Sequence, residues 1–206
     1  AGTHKEAGSI YPKEFARMVY EGRSREGETE ILSLIRCAWA GSQKYGALVW
    51  TGDIYSDFAS LRNQVAAGMN MGLSGFPWWT TDIGGFHGGN IYSDEFKECL
   101  IRWFQFGAFC PVFRMHGFRE PLVTAEGKEF RTGDAKSWKY TSGSPNEVWS
   151  YGEEIYEICR KYMFIRERMR PYLQEQMERA HEYGTPVMRP LFYDYPEDPA
   201  VWESED

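Results

Sequence analysis

Ala47-Leu-Val-Trp50-Thr-Gly-Asp53 and, one helical stretch later, Gly72-Leu-Ser-Gly-Phe-Pro-Trp-Trp79-Thr-Thr-Asp82-Ile-Gly-Gly-Phe86 decide how this chain folds. Each is a short apolar run that ends in a carboxylate. Between them, Ser56–Met71 carries Phe58, Leu61, Val65 and Met69 at helical spacing, which predicts a helix. Strand, helix, strand in that order is the repeating unit of a parallel α/β fold.

The pattern extends both ways. Upstream, residues 11–22 read as a helix with Phe15, Met18 and Val19 on its apolar side, and Ile31–Trp39 is a short apolar run holding Arg36. Downstream, Ser93–Gly107 reads as a helix and Phe109–Phe113 as a strand that runs into Arg114-Met-His116-Gly. From about Phe118 to Pro145 the chain is polar and glycine-containing without a period, so a long loop is expected. Asn146–Tyr183 predicts a long amphipathic helix broken near Arg170-Pro171, with Gly184 placed to end it. Thr185–Tyr195 then reads as extended, stopped at Pro196-Glu-Asp-Pro199.

Four predicted strands thus end, in order, with Arg36, Asp53, Asp82 and Arg114/His116. In a β/α barrel the active site lies on the loops after the carboxyl ends of the strands, so these groups would form one wall of a pocket. Four strands make half of an eight-stranded barrel.

Composition narrows the function. The 206 residues are 42% hydrophobic and 26% charged, which is globular rather than disordered. A net charge of −7, with no basic stripe, argues against nucleic acid. No run approaches the roughly 18 apolar residues of a membrane span, and the opening Ala1-Gly-Thr-His-Lys-Glu is unlike a signal peptide. A soluble protein is expected, its compartment open. Cys37, Cys99, Cys110 and Cys159 are too scattered for a zinc site or a small disulfide framework and read as buried free thiols. The four histidines lack metal-ligand spacing, so no metal is expected. Aromatics reach 17%, which suits either a bulky core or a cleft where sugar rings pack on side chains.

Each polar strand end has two readings. Beside the Trp50 indole, Asp53 can be desolvated and stay protonated near neutral pH, as a general acid must. It can equally cap the helix starting near Ser56. Asp82 can accept hydrogen bonds from two sugar hydroxyls, with Gly84 and Gly85 admitting a ligand close to the backbone; or it can build a turn with them. Trp78 and Trp79 offer a stacking surface or core. Arg36 and Arg114 follow apolar runs, where an unpaired guanidinium is costly, so each should meet a carboxylate or a ligand. His116 can donate to a sugar hydroxyl or sit satisfied in the interior.

Together the motifs resemble glycoside hydrolase family 31, the α-glucosidase and α-xylosidase family. The matching pieces are Arg36 with Trp39-Ala-Gly-Ser-Gln-Lys-Tyr, Trp50-Thr-Gly-Asp53, Gly72-Leu-Ser-Gly-Phe and Trp79-Thr-Thr-Asp82-Ile-Gly-Gly-Phe86. Arg102-Trp, Gly107-Ala-Phe, Pro111-Val-Phe-Arg114-Met-His116-Gly, Arg168-Met-Arg-Pro-Tyr-Leu and Pro186-Val-Met-Arg-Pro follow in order. The match runs from about Tyr11 to Pro199.

The resemblance implies a (β/α)8 TIM barrel of which this chain is strands five to eight. Residues 1–184 would be the C-terminal half of the catalytic barrel, and 185–206 the start of a connection to a following β-sandwich. Asp53 would be the general acid/base with Trp50 beside it. Arg36, Asp82, Arg114 and His116 would grip the terminal sugar of an oligosaccharide or α-glycoside, with Trp79 and Phe86 shaping the walls. The family's nucleophile, an aspartate in a Trp-x-Asp type motif, has no counterpart here. The early acidic residues Glu6, Glu14, Glu21, Glu26, Glu28 and Glu30 lie in polar or helical context, and no Trp precedes Trp39. The chain is therefore expected to lack the N-terminal half of its barrel, to be inactive alone, and to self-associate through exposed strand edges. No cofactor is implied. A carbohydrate-binding module without turnover and a transglycosylase on the same barrel stay open as alternatives.

Overall fold

A computed structural model describes residues 2–124, 129–130 and 141–203. By its internal contacts the chain divides into two compact units. The first comprises residues 1–49, 66–79 and 173–206, the second residues 50–65 and 80–172.

A three-stranded sheet has the order β1 (Ser33–Ile35), β2 (Ala47–Trp50), β3 (Trp79–Thr80). β1 and β2 are parallel, with Ser33 opposite Ala47 and Ile35 opposite Val49, and the Val49 amide donates to the Trp78 carbonyl at 3.2 Å. Ala47, Leu48 and Val49 are all buried, the continuous apolar reading of a strand covered on both faces. A short helix α1 (His4–Ala7) and α2 (Tyr11–Arg25) precede the sheet. The expected helix at 11–22 is present, but Phe15 and Met18 on its apolar side are exposed within this chain, and only Ala16 of α2 is buried.

Helix α3 (Phe58–Leu73) lies between β2 and β3 in the chain. It continues two residues into the run Gly72–Trp79 that was expected to be extended, which leaves β3 only two residues long. In the first unit a Cβ at Gly68 would lie 3.0 Å from the Trp79 ring, and one at Gly72 would lie 2.7 Å from both the Met188 carbonyl oxygen and Pro186. The small residues let the helix end approach the strand and the Pro186–Met188 segment.

In the second unit, α4 (Asp94–Gly107) begins where Ser93 accepts from the Phe96 amide at 3.3 Å, with Asp94 and Glu95 in the first turn complementing the helix dipole. Phe96, Cys99, Leu100, Trp103, Phe104 and Gly107 form its buried stripe. This stripe packs with Ile83, Tyr151, Ile155 and Cys159 into one core.

The expected strand Phe109–Phe113 is not a strand. Arg166 of α5 (Glu153–Arg168) donates to the carbonyls of Ala108 and Pro111 at 3.0 and 2.8 Å, and also to that of Cys110. Pro111 has no amide proton to give to a ladder. The segment meets its neighbour through the Thr80 hydroxyl on the Val112 carbonyl (3.1 Å) and one parallel bridge, Ile83 with Met115.

The expected long loop contains an antiparallel sheet, β5 (Glu129–Phe130), β4 (Arg119–Thr124), β6 (Thr141–Ser144), in that order. Residues 125–128 and 131–140 of that stretch lie outside the described residues. The predicted helix break is real: α5 ends at Arg168 and α6 (Arg170–Tyr183) carries Pro171 in its first turn, where proline is tolerated. Gly184 follows with φ +71°. The stretch Thr185–Tyr195 is not uniformly extended, since it contains the short helix α7 (Leu191–Asp194); α8 (Ala200–Glu203) ends the described chain.

Candidate active site

Within the second unit, two loops carry the acidic residues. The first leaves β2 through Gly52 and Asp53 and enters α3. Asp57 caps this helix, its Oδ1 accepting from the Ser60 amide at 2.6 Å. Asp53 is therefore not the capping residue, and it is exposed. The burial expected from its place after Trp50 is absent within this chain: Trp50 is half-buried, whereas Asp53 faces solvent.

The second loop, Thr80–Phe86, is almost wholly buried. The Gly85 amide bonds the Asp82 carbonyl at 2.9 Å, so the Asp-Gly turn exists, but it uses the backbone of Asp82 and leaves the carboxylate for other partners. A Cβ at Gly85, where φ is +73°, would lie 2.6 Å from the Ser56 Cα and the Tyr55 carbonyl oxygen. Glycine here admits the neighbouring loop's backbone, where the sequence suggested a ligand. The Phe86 and His87 amides both donate to the Ile54 carbonyl, at 2.8 and 2.9 Å, and the Ser56 amide to the His87 carbonyl at 3.0 Å. The two loops are tied main chain to main chain.

Asp82 is fully buried and paired with the Arg114 guanidinium. Its Oδ2 is buried and has no hydrogen-bond partner among the described residues. Burial pushes its carboxyl up from the ordinary value; Arg114 and then His116 pull it back, and the charge of Asp53 pushes it up further. Asp53, Asp82, Arg114 and His116 thus share one electrostatic neighbourhood. Half-buried Phe86 stands 5.5 Å, ring to ring, from exposed His116, and 4.8 Å edge-on from His87. His87 in turn lies 5.9 Å from Tyr55, so aromatic rings run from His116 to a position two residues after Asp53.

The remaining two expected site residues belong to the first unit. Arg36 is exposed directly after β1, and Trp79 is core, 1% exposed. Of the two readings of the tryptophan pair, Trp79 follows the interior one. A cavity of about 920 Å³ in the first unit lies at the other end of the strands. It is lined by Ile31 and Leu32 before β1, Gly46 and Ala47 at the start of β2, and Pro77 and Trp78 before β3. In a β/α barrel that end is structural.

Residues 1–176 match the sequence profile of the glycosyl hydrolases family 31 TIM-barrel domain. The chain belongs to glycoside hydrolase family 31. It is 34% identical over 198 residues to an α-xylosidase of Saccharolobus solfataricus, covering 96% of this chain and 24% of that protein. It is 35% identical over 210 residues to α-glucosidase 2 of Bacillus thermoamyloliquefaciens, covering 99% and 22%. A family 31 α-xylosidase from a soil metagenome, solved in complex with xylose, superposes with a TM-score of 0.90 at 54% identity, over 100% of this chain and 30% of that one. The chain thus spans about a quarter of the family 31 relatives it matches.

Among the described residues no cluster of three or more His, Cys, Asp or Glu could hold a metal ion, and no helix is long and apolar enough to cross a membrane. Cys99, Cys110 and Cys159 are buried free thiols as expected, whereas Cys37 is exposed. Two further residues hold the loops beside the candidate site residues without having been expected to. Asp57 was legible as a cap three residues before Ser60. Arg119, buried at the start of β4, lay in a stretch with no period to flag it.

Proposed function

We propose that this chain forms strands five to eight of the catalytic barrel of a retaining, exo-acting α-glycosidase that removes terminal α-linked xylose or glucose. Residues 1–184 would belong to the barrel and 185–206 would lead towards a following domain. The reading rests on the contrast between Asp53 and Asp82 on two tied loops. A buried carboxylate, paired on one oxygen and unsatisfied on the other, is built to receive sugar hydroxyls. An exposed carboxylate close by, on a loop tied to the first, is open to a glycosidic oxygen.

In this reading Asp53 hands its proton to the departing glycosidic oxygen as the bond to the anomeric carbon breaks. It then takes a proton from the water that attacks the glycosyl-enzyme intermediate. Asp82 and Arg114 hold adjacent hydroxyls of the terminal sugar, His116 donates to one, and Phe86 packs on the ring. The nucleophile, which such a mechanism places roughly 5–5.5 Å from the acid/base, comes from chain outside these residues.

The test is turnover of aryl α-xyloside and aryl α-glucoside by the full-length protein, with the anomer of the first-formed product read by NMR. Retention, with loss of activity in Asp53→Ala, is expected. Inversion, or an Asp53→Ala variant as active as wild type, sinks the mechanism. Tight sugar binding without turnover would support a binding module instead, and transfer to added sugar in place of hydrolysis a transglycosylase. The 206-residue chain assayed alone is expected to be silent.

A further inference from the structure

Arg119 is 0% exposed, an uncommon place for a guanidinium. Burying that charge is costly unless its donors are satisfied, so where they go matters. Nη1 donates to the Ser56 hydroxyl at 3.0 Å and to the Gly88 carbonyl at 3.3 Å; Nη2 donates to the Ile83 carbonyl at 3.4 Å. Nε donates to Oδ1 of Asn146 at 2.8 Å, and Asn146 in turn donates to the Gly117 carbonyl at 3.4 Å. The Tyr151 hydroxyl donates to the same Asn146 oxygen at 2.6 Å, and the Phe96 ring covers the guanidinium carbon at 5.0 Å.

These acceptors are neutral, and they are distributed. Ser56 lies three residues after Asp53, Ile83 directly follows Asp82, Gly88 lies two after Phe86, and Gly117 directly follows His116. The fit is close: a Cβ at Gly117 would stand 2.5 Å from Arg119 Nη2, and one at Gly84 would stand 2.7 Å from it. A flat fork with five donors can serve three loops at once, whereas an ammonium cannot reproduce the geometry.

We infer that Arg119 is the positioning residue of this site: one buried guanidinium sets the spacing of the loops that carry Asp53, Asp82 and Phe86, and His116. It touches no substrate. Its effect on catalysis rests on the function proposed above, but its effect on loop geometry does not.

The experiment uses the full-length protein with Arg119→Lys and Asn146→Ala, the second variant cutting the link to Gly117 with less risk to folding. Active sites are counted with a covalent glycosidase inactivator, so that misfolded molecules drop out. Per active site, Arg119→Lys is expected to raise KM and lower kcat/KM for aryl α-xyloside by about a hundred-fold, the scale of a misplacement near 1 Å. Asn146→Ala should move both in the same direction by about ten-fold. A merely structural role would lower only the number of active sites, and wild-type KM and kcat per site in both variants overturn the inference. Should the wild type prove to have no glycosidase activity, the proposed function fails, and crystal structures of the variants decide alone. Displaced Ile83–Gly88 and His116–Gly117 backbones uphold the positioning role, and unmoved loops in both refute it. If Arg119→Lys does not fold, Asn146→Ala decides by the same two readouts.

Discussion

The loop after β2 and the loop after β3 look alike in sequence and differ in environment. Each follows a largely buried strand, carries an aspartate and holds glycine close to it. Yet Asp53 is exposed, while Asp82 is fully buried against Arg114. The difference is made by neighbours. Asp57, not Asp53, caps α3, whereas Arg114 pairs with the other carboxylate and Gly84 and Gly85 admit close neighbours to its loop. An acidic residue at a strand end is therefore not one kind of site. In the mechanism proposed above the open carboxylate would meet the glycosidic oxygen and the closed one would grip hydroxyls.

Four experiments probe how deep this contrast goes. The largest effect is expected from Asp53→Ala in the full-length protein. Its kcat on substrates with poor leaving groups should fall by about a thousand-fold or more, and by much less with an activated aryl leaving group. Equal losses on both would mean Asp53 does not deliver the proton. Next, Asp82→Ala should lower kcat/KM by about a hundred-fold on either leaving group, and destabilise by about 1.5–3 kcal/mol, because Arg114 loses its partner. Leaving-group dependence there would erase the distinction between the two aspartates.

Third, Gly85→Ala forces a side chain at φ +73° into the Ser56 backbone, so denaturant unfolding should show a loss of about 1–3 kcal/mol. An unchanged midpoint would show that the loops are not locked together. The smallest effect serves as a control away from both carboxylates. Burial pushes the thiols of Cys99 and Cys159 up from 9.0 to about 11, and that of Cys110 to about 12. The unfolded chain gives up these protons first, so their contribution to stability should be full below about pH 9 and decline as the pH rises towards 11 to 12. At about pH 8, below the ordinary thiol value, a thiol reagent should label Cys37 rapidly and the other three only after denaturation. Fast labelling of all four contradicts the packed core.

Much of this was legible in the sequence, for identifiable reasons. The stripe of α4 runs from Phe96 to Gly107 and is announced by Ser93, so periodicity and cap agree. Pro171 marked the break between α5 and α6. Pairing of Arg114 with a carboxylate followed from the cost of leaving it alone. What failed depended on partners far along the chain. Phe109–Phe113 has the composition of a strand, but carbonyls in and beside it are taken by Arg166 from α5, a donor no local window contains. The strand pairing of Arg119–Thr124 is held by Thr141–Ser144, which is short, polar and without alternation. The ring row of Tyr55, His87, Phe86 and His116 was equally hidden, because it is assembled from three loops.

The division of labour between Asp53 and Asp57 has a consequence for how this segment can change. Capping the helix falls to Asp57, and the acid/base role proposed above to a side chain four residues earlier. A library at position 53, with Asp57 and Gly85 held constant, would vary the proposed acid/base while the helix cap stays in place.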